Sequence, residues 1–288
     1  MQNPRKTQPF MAKWPEHLTS FVAYSVIAIG AFIMLLPFYY MMVFSTHTNS
    51  DILSVPPPYW IGDHLVANVK DLIERKPHFW NAMGLSLWIA FAVTATTLFF
   101  CSLAGFAFTM YEFKYKNHLF GFIMATMLMP GFVGMIPTIL LMSKLDWMNS
   151  TKALIIPGMA GAMGIFMMRQ YIGSAIPKEL VEAGRMDGCS EFGLYWRVVL
   201  PLLGPALGTL GLITFIGAYN NFVGALLVMR VEEMHTLPLV LRSLSGTSAV
   251  TQGAISAGAA ITVLPLLVIF LLYSRKLIDG LTAGAVKG

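Results

Sequence analysis

Ionisable side chains are where a chain of this kind could do chemistry, and their placement restricts that chemistry at once. All 33 Lys, Arg, Asp and Glu residues and the six His stand outside six long apolar stretches at about 18–46, 82–110, 119–143, 153–168, 203–229 and 252–274. Inside the stretches hydroxyls and amides are found, but no general base to activate them, so no catalytic residue is assigned. Cys101 falls within a stretch and Cys189 outside; neither has a second Cys nearby, so neither a disulfide nor a metal site is expected. The chain carries no G-x-x-x-x-G-K-[ST] phosphate loop, so no cofactor or nucleotide of its own is expected. The most informative charge lies between Ser174 and Pro201, with Lys178, Glu179, Glu182, Arg185 and Asp187 inside ten residues. Mixed signs on a short helix suit docking to a protein better than to an anionic lipid surface, which favours an all-basic face.

The elements that position this cluster follow from composition. Of 288 residues, 56% are hydrophobic and 11% charged, and the mean hydropathy is +0.67. Soluble domains carry about a quarter charged residues. Too few charges remain to cover a water-facing surface, and the chain reads as an all-α, polytopic membrane protein. Crossing the hydrocarbon core takes about 20 apolar residues. Five stretches are long enough, and the fourth reaches 171 if Arg169, Gln170 or Tyr171 snorkels at its end. Six spans form one domain over residues 1–288.

Orientation follows from Lys and Arg in the connections. With the N-terminus inside, the cytoplasmic pieces hold twelve basic residues, including Arg5, Lys6, Lys13 and Arg275, and the outside loops hold seven. Both termini are therefore expected in the cytoplasm. The net charge of +5 is this bias, and no basic cluster points to nucleic acid. The first stretch is too long for a cleaved signal core.

The outside loop at about 47–81 contains Pro56-Pro57-Pro58-Tyr59-Trp60 and reads either as an extended linker with Trp60 and Trp80 as interfacial anchors or as a contact surface for an external partner. Breakers interrupt the third stretch (Pro130, Gly131, Gly134, Pro137) and the fourth (Pro157, Gly158, Gly161, Gly164). Such breaks need neighbours that satisfy the freed backbone, and the glycines offer a smooth face for close helix contact. In the loop at 174–201, Pro177 suits a first helical position, Asp187-Gly188 a stop, and Ser190 the N-cap of a second helix feeding the fifth span.

That loop resembles the signature of binding-protein-dependent ABC transporter permeases, E-A-A, three residues, G, nine residues, I, one residue, L-P. Here it reads Glu182-Ala183-Gly184, Gly188, Val198, Leu200 and Pro201, with every spacing kept. The segment Gly164 to Tyr171 and the tail Gly280 to Gly288 are similar to the carbohydrate branch of the maltose (MalG) type, and Tyr219-Asn220-Asn221-Phe222 stands where that branch often has Trp-Asn-Asp-Phe. The resemblance implies an inner-membrane subunit forming half of a sugar pathway with a second permease chain. It further implies an ATPase dimer that binds ATP and Mg, and an external sugar-binding protein. Glu182, Ala183, Gly184, Asp187, Gly188 and Pro201 would belong to a coupling helix and its loop. Thr282, Ala283 and Gly284 would reach between the ATPase subunits, and the turn from about Arg230 to Thr251 would probe the binding protein.

Tyr219, Asn220 and Asn221 read either as glue between spans or as the lining of a sugar path, with Tyr219 as a stacking surface. An ion-coupled secondary transporter is the alternative class, but no charged midplane residue is present to serve it. A permease for a non-sugar solute such as glycerol phosphate is the alternative substrate.

Overall fold

A computed structural model of the chain describes residues 16–244 and 251–285, in which the regular structure is helical throughout. Arg5, Lys6 and Lys13, residues 245–250 and residues 286–288 lie outside the described residues. The helices are α1 Glu16–Phe44, α2 Leu65–Arg75, α3 Phe79–Met110, α4 Lys116–Thr126, α5 Met135–Lys144, α6 Lys152–Gly158, α7 Ala162–Ala175, α8 Lys178–Met186, α9 Gly204–Tyr219, α10 Phe222–Val228, α11 Leu237–Leu244 and α12 Gln252–Ala285. Shorter helical turns fill several of the connections.

Four segments are long and apolar enough to cross a membrane: Ser20–Phe44, Phe79–Met110, Lys152–Ala175 and Gln252–Leu272. Two bent pairs raise the number to six if each pair is one span. The third stretch is one such pair, since Lys116–Thr126 and Gly131–Lys144 meet at 94° around Pro130. At the fifth, the helices after Ser190 turn 81° into α9 at Leu203-Gly204-Pro205. The stretch at 203–229 is thus not one rod: it bends at its start and breaks again at Asn220-Asn221, before α10.

α3 is the centre of the molecule, flanked by α7 on one side and α9 on the other, with α12 beyond α9. Its contact with α7 depends on small residues. A Cβ at Gly105 would sit 2.6 Å from Met168 Cβ and 2.9 Å from the Arg169 backbone nitrogen, and one at Gly164 would sit 2.7 Å from Cys101 Sγ. Thr97, Cys101 and Gly105 follow at i, i+4 and i+8, one face of a helix. This face also meets the break between α6 and α7. Thr97 Oγ1 donates to the Gly158 carbonyl (2.8 Å) and Cys101 Sγ to the Gly161 carbonyl (3.6 Å), so carbonyls released at the break find donors on α3. Several other hydroxyls on α3 bond their own helix, as Thr94 does with the Ala90 carbonyl (2.6 Å), whereas Ser86 Oγ accepts from the Leu237 amide (2.8 Å). Polar groups in the spans are satisfied locally, as a medium without water requires.

The loop at about 47–81 departs from the extended linker expected of it. It contains α2, whose Leu72 is fully buried in a core with Phe79, Phe215 and Leu237. Asn68 Nδ2 donates to the Ser45 and His47 carbonyls (2.8 and 2.9 Å), folding the loop over the end of α1. Three prolines dominate its composition, but the amphipathic period of α2 comes after them. Trp60 and Trp80 do remain exposed. The connection from Arg230 also folds, into α11 with Leu237 and Leu244 buried, rather than remaining a turn. Asn149 Oδ1 accepts from the Arg230 and Val231 amides (2.6 and 3.0 Å), and Lys76 Nζ meets Glu232 at 2.7 Å. The three loops at this end therefore lock together.

The approach of α3 to α7 is testable in the isolated, detergent-solubilised chain. Gly105→Ala pushes a methyl into backbone atoms and is expected to cost about 1–3 kcal/mol. Gly121→Ala on α4, where no described atom lies within 4 Å of the added Cβ, should not lower the unfolding temperature. Equal thermal stability of the two variants would refute the contact.

Candidate functional site

The loop at 174–201 shares one core with the spans. Ile176, Val181, Leu194, Tyr195 and Val199 are buried together with Cys101, Phe106, Met168 and Ile172 from α3 and α7. α8 begins after Pro177, which is its N-cap with extended backbone and not its first helical residue. Glu179 in the first turn faces the positive end of the helix dipole. α8 ends in a Schellman motif: the Gly188 amide bonds the Arg185 carbonyl (3.0 Å) and the Cys189 amide the Gly184 carbonyl (3.1 Å). Gly188 has φ +82°, a left-handed conformation that disfavours any side chain. Ser190 Oγ then caps the next turn by accepting from the Gly193 amide (3.2 Å).

Gly184, where the family pattern has Ala, stands under Leu194 of the following turn; a Cβ there would overlap Leu194 Cδ2. Further on, Pro201 has no N–H to offer and its ring would crowd the carbonyl four residues back. The chain responds with a wide π turn at Tyr195–Val199, where the Leu200 amide reaches the Tyr195 carbonyl. The π turn buries Tyr195, whose hydroxyl is 2.7 Å from Ser102 Oγ on α3.

A second tie fixes the direction of α8. Arg185 Nε and Nη2 donate to the two oxygens of Glu191 (2.9 and 3.3 Å), and the Tyr111 hydroxyl at the end of α3 donates to the same carboxylate. Arg185 also lies 5.4 Å from the Tyr111 ring centroid. The Arg185 hydrogen bond, followed by that of Tyr111, holds the Glu191 carboxyl below its ordinary range. Burial, then the neighbouring carboxylate, pushes Tyr111 up. An exposed ion pair is worth about 1 kcal/mol or less, whereas burying one Leu or Val contributes about 1.5–3 kcal/mol. The core therefore supplies the loop's stability, and the tie sets its orientation. Sequence reasoning placed Glu191 only as the start of a helix and missed Tyr111, since nothing in their 80-residue separation signals a pair.

The opposite face of α8 has no such partners. Glu179, Glu182, Ala183, Met186 and Asp187 are exposed, Met186 to 85%. The Glu182 carboxylate has no hydrogen bond or ion pair among the described residues. Pro201 is exposed on the next segment. Thr282, Ala283 and Gly284 continue the backbone of α12, and their side chains lie outside the described residues.

The other predicted residues lie far from this loop along the chain. Tyr219 is not a stacking surface: its ring is buried, stacked on Phe215 at 6.0 Å, and its hydroxyl donates to the Thr262 carbonyl of α12 (3.1 Å). Asn220 and Asn221 form no side-chain hydrogen bond between spans among the described residues. Asn220 Nδ2 bonds the Ile216 carbonyl of its own helix (3.1 Å), and Asn221 Oδ1 caps α10 at the Gly224 amide (2.9 Å). Both amides are exposed. Among the described residues no His, Cys, Asp and Glu group could hold a metal ion.

Comparison with known proteins adds the family. The sequence profile of the binding-protein-dependent transport system inner membrane component matches residues 97–277, from mid-α3 to α12 and including the whole loop. The chain belongs to this family. It is 35% identical over 210 residues to an arabinooligosaccharide transport permease of Halalkalibacterium halodurans, covering 73% of this chain and 75% of the relative. It is 30% identical over 273 residues to a lactose transport permease of Rhizobium radiobacter, covering 94% and 97%. The fold matches a chain from the crystal structure of a bacterial ABC transporter involved in alginate import, with TM-score 0.79 and 22% identity over 93% of this chain and 99% of that one. An inner-membrane permease of this family is a transport subunit, and the all-α polytopic fold is that of ABC importer permeases. α1, the loop at about 47–81 and the first half of α3 precede the matched region.

The permease's two ties on α8 separate by pH and mutation. Glu191 is held ionised in the folded loop, so its contribution is complete at neutral pH and fades as pH falls through the lowered titration range. Amide exchange in α8, corrected for intrinsic rate, should speed up over that acid range in the wild type and show no such step in Glu191→Gln. At neutral pH Glu191→Gln should unfold within about 1 kcal/mol of wild type, while Leu194→Ala costs about 2–5 kcal/mol. A larger loss for Glu191→Gln would reverse the assignment of stability and orientation.

Proposed function

We propose that this permease forms half of the pathway of an ATP-driven importer for a sugar or oligosaccharide and drives it through α8. The observation that carries the reading is the two-faced helix: one face built into the core of the spans, the other exposed with an unpaired acid at Glu182. A partner ATPase whose cleft presents a basic residue would receive that face, and movement of the cleft would pass through Arg185, Glu191 and Tyr111 to α3. The permease itself binds no nucleotide, so ATP and Mg belong to the ATPase dimer. Asp187, Gly188 and Pro201 shape the docking loop, and the tail with Thr282, Ala283 and Gly284 approaches the same partner.

The charge bias of the connections supports placing the α8 loop and both termini in the cytoplasm, with six spans. The locked loops at the opposite end, with exposed Arg230, Val231, Glu232 and Glu233, then face the external binding protein. A second permease chain, different from this one, closes the pathway. Asn220 and Asn221 line it at the helix break, where exposed amides can exchange hydrogen bonds with sugar hydroxyls. Relatives are named for arabinooligosaccharides, lactose and sn-glycerol-3-phosphate. The uncharged stretches of this chain favour the neutral sugars over the phosphate, which would require a countercharge along the path.

Glu182→Lys tests the coupling. The variant should express, insert and unfold as wild type, because the exposed Glu182 makes no hydrogen bond or ion pair among the described residues, yet uptake should fall at least about tenfold as like charges meet in the cleft. A matching charge reversal in the ATPase should restore part of the uptake. In the same assay Asn221→Ala should change the apparent affinity for sugar without loss of assembled complex. Wild-type uptake by Glu182→Lys would end the coupling assignment.

A further inference from the structure

Beside α8, at the same end of the spans, an open cleft of about 400 Å³ runs between α3, α4 and α7. It is lined by Thr109, Glu112, Lys116, Arg169, Gln170 and Lys178, so three cations face one acid. The acid is already matched. Lys116 Nζ holds Glu112 at 3.0 Å and the Tyr111 carbonyl at 2.8 Å, and the Lys116 side chain is only 12% exposed. Two positive head groups are left over. Neither the Arg169 guanidinium nor the Lys178 ammonium has a hydrogen bond or ion pair among the described residues.

Arg169 is also held in place. Its guanidinium lies 3.8 Å from the centroid of the Phe120 ring, a stacking that immobilises the plane and leaves its N–H edge for an anionic acceptor. Phe108 lines the same cleft and packs against Phe113 and Phe120, with centroids 5.8 and 5.6 Å away. An aromatic wall thus runs from the cleft onto the apolar surface of α3 and α4. Cations at the ends of spans, above an apolar wall, match a ligand with a phosphate at one end and hydrocarbon at the other.

We propose that this cleft binds the phosphodiester headgroup of an anionic phospholipid between Arg169 and Lys178, its acyl chains lying along Phe108 and Phe120. Lys178 opens α8, so the bound lipid would fasten the start of that helix to the bilayer surface. The exposed face of α8 stays clear for a protein, because the cleft lies on its flank towards the spans.

The test is lipid retention by the purified full-length chain, read by native mass spectrometry after exposure to equal amounts of phosphatidylglycerol and phosphatidylcholine. Phosphatidylglycerol should be retained in excess. Lys178→Gln and Arg169→Gln should each cut the excess about fivefold, the expected contribution of one basic residue near an anionic surface. Arg197→Gln, an exposed basic residue of the same loop outside the cleft, should leave it intact. Arg169→Gln also removes the stack on Phe120, so Lys178→Gln is the deciding variant. An undiminished excess in Lys178→Gln overturns the proposal. So does complete displacement of the lipid by millimolar inorganic phosphate, which would mark a site for a soluble anion. Loss of ATPase association in Lys178→Gln with the lipid excess unchanged would assign the cleft to the protein partner instead.

Discussion

With no side chain at Gly105 or Gly164, α3 and α7 approach until Met168 and Cys101 occupy the space a methyl group would need. In a bilayer, apolar side chains gain little by leaving lipid for protein, so association rests on such close packing and on interhelical hydrogen bonds. Thr97 and Cys101 provide the bonds at the carbonyls of Gly158 and Gly161. The loop after α7 is hung from the same surface. Tyr195 reaches Ser102, Glu191 reaches Tyr111, and Val181, Leu194 and Val199 complete the core that Cys101 and Phe106 begin. A displacement of α8 is thereby a displacement against α3, the helix that also carries Ser86, Phe79 and the contacts to the far end.

Much of this was legible in the sequence where the cause is local. Apolar length marks spans, so the long stretches of α1, α3 and α12 could be read directly. Gly188 and Ser190 are a helix stop and a helix start by the chemistry of their own backbone and side chain, and the Schellman motif and N-cap follow. The glycines at 158, 161 and 164 announce a close contact, though not that α3 provides the other half. Other features were hidden because their causes lie far away along the chain. The burial of Tyr219 comes from Phe215 on its own helix and from α12, whose Thr262 carbonyl takes its hydroxyl. Asn220 and Asn221 look alike in sequence, but one bonds the end of a helix and the other starts the next.

On the proposed function, the break at these asparagines and the loop at α8 would divide the permease's tasks by chemistry. Hydrogen-bonding groups without charge, set in an apolar helix pair, suit a neutral solute that must be held weakly and released. Charged groups of both signs, fixed outside the spans, suit a protein partner that must be recognised. The opposite end, where Asn149, Lys76 and Glu232 tie three loops together, presents a firm surface in place of the extended linker its prolines suggest.

The central claim is that the exposed face of α8 is the seat of a partner ATPase. Met186 on α8 is 85% exposed, and Met186→Cys in a Cys189→Ser background gives a single accessible thiol, because Cys101 is buried. Its labelling rate by a maleimide should be measured in the purified permease and in the complete transporter. The account predicts rapid labelling of the permease alone and strong protection once the ATPase is bound, whereas Tyr59→Cys in the same background should label equally in both. Equal labelling of the Met186→Cys variant with and without the ATPase would contradict it.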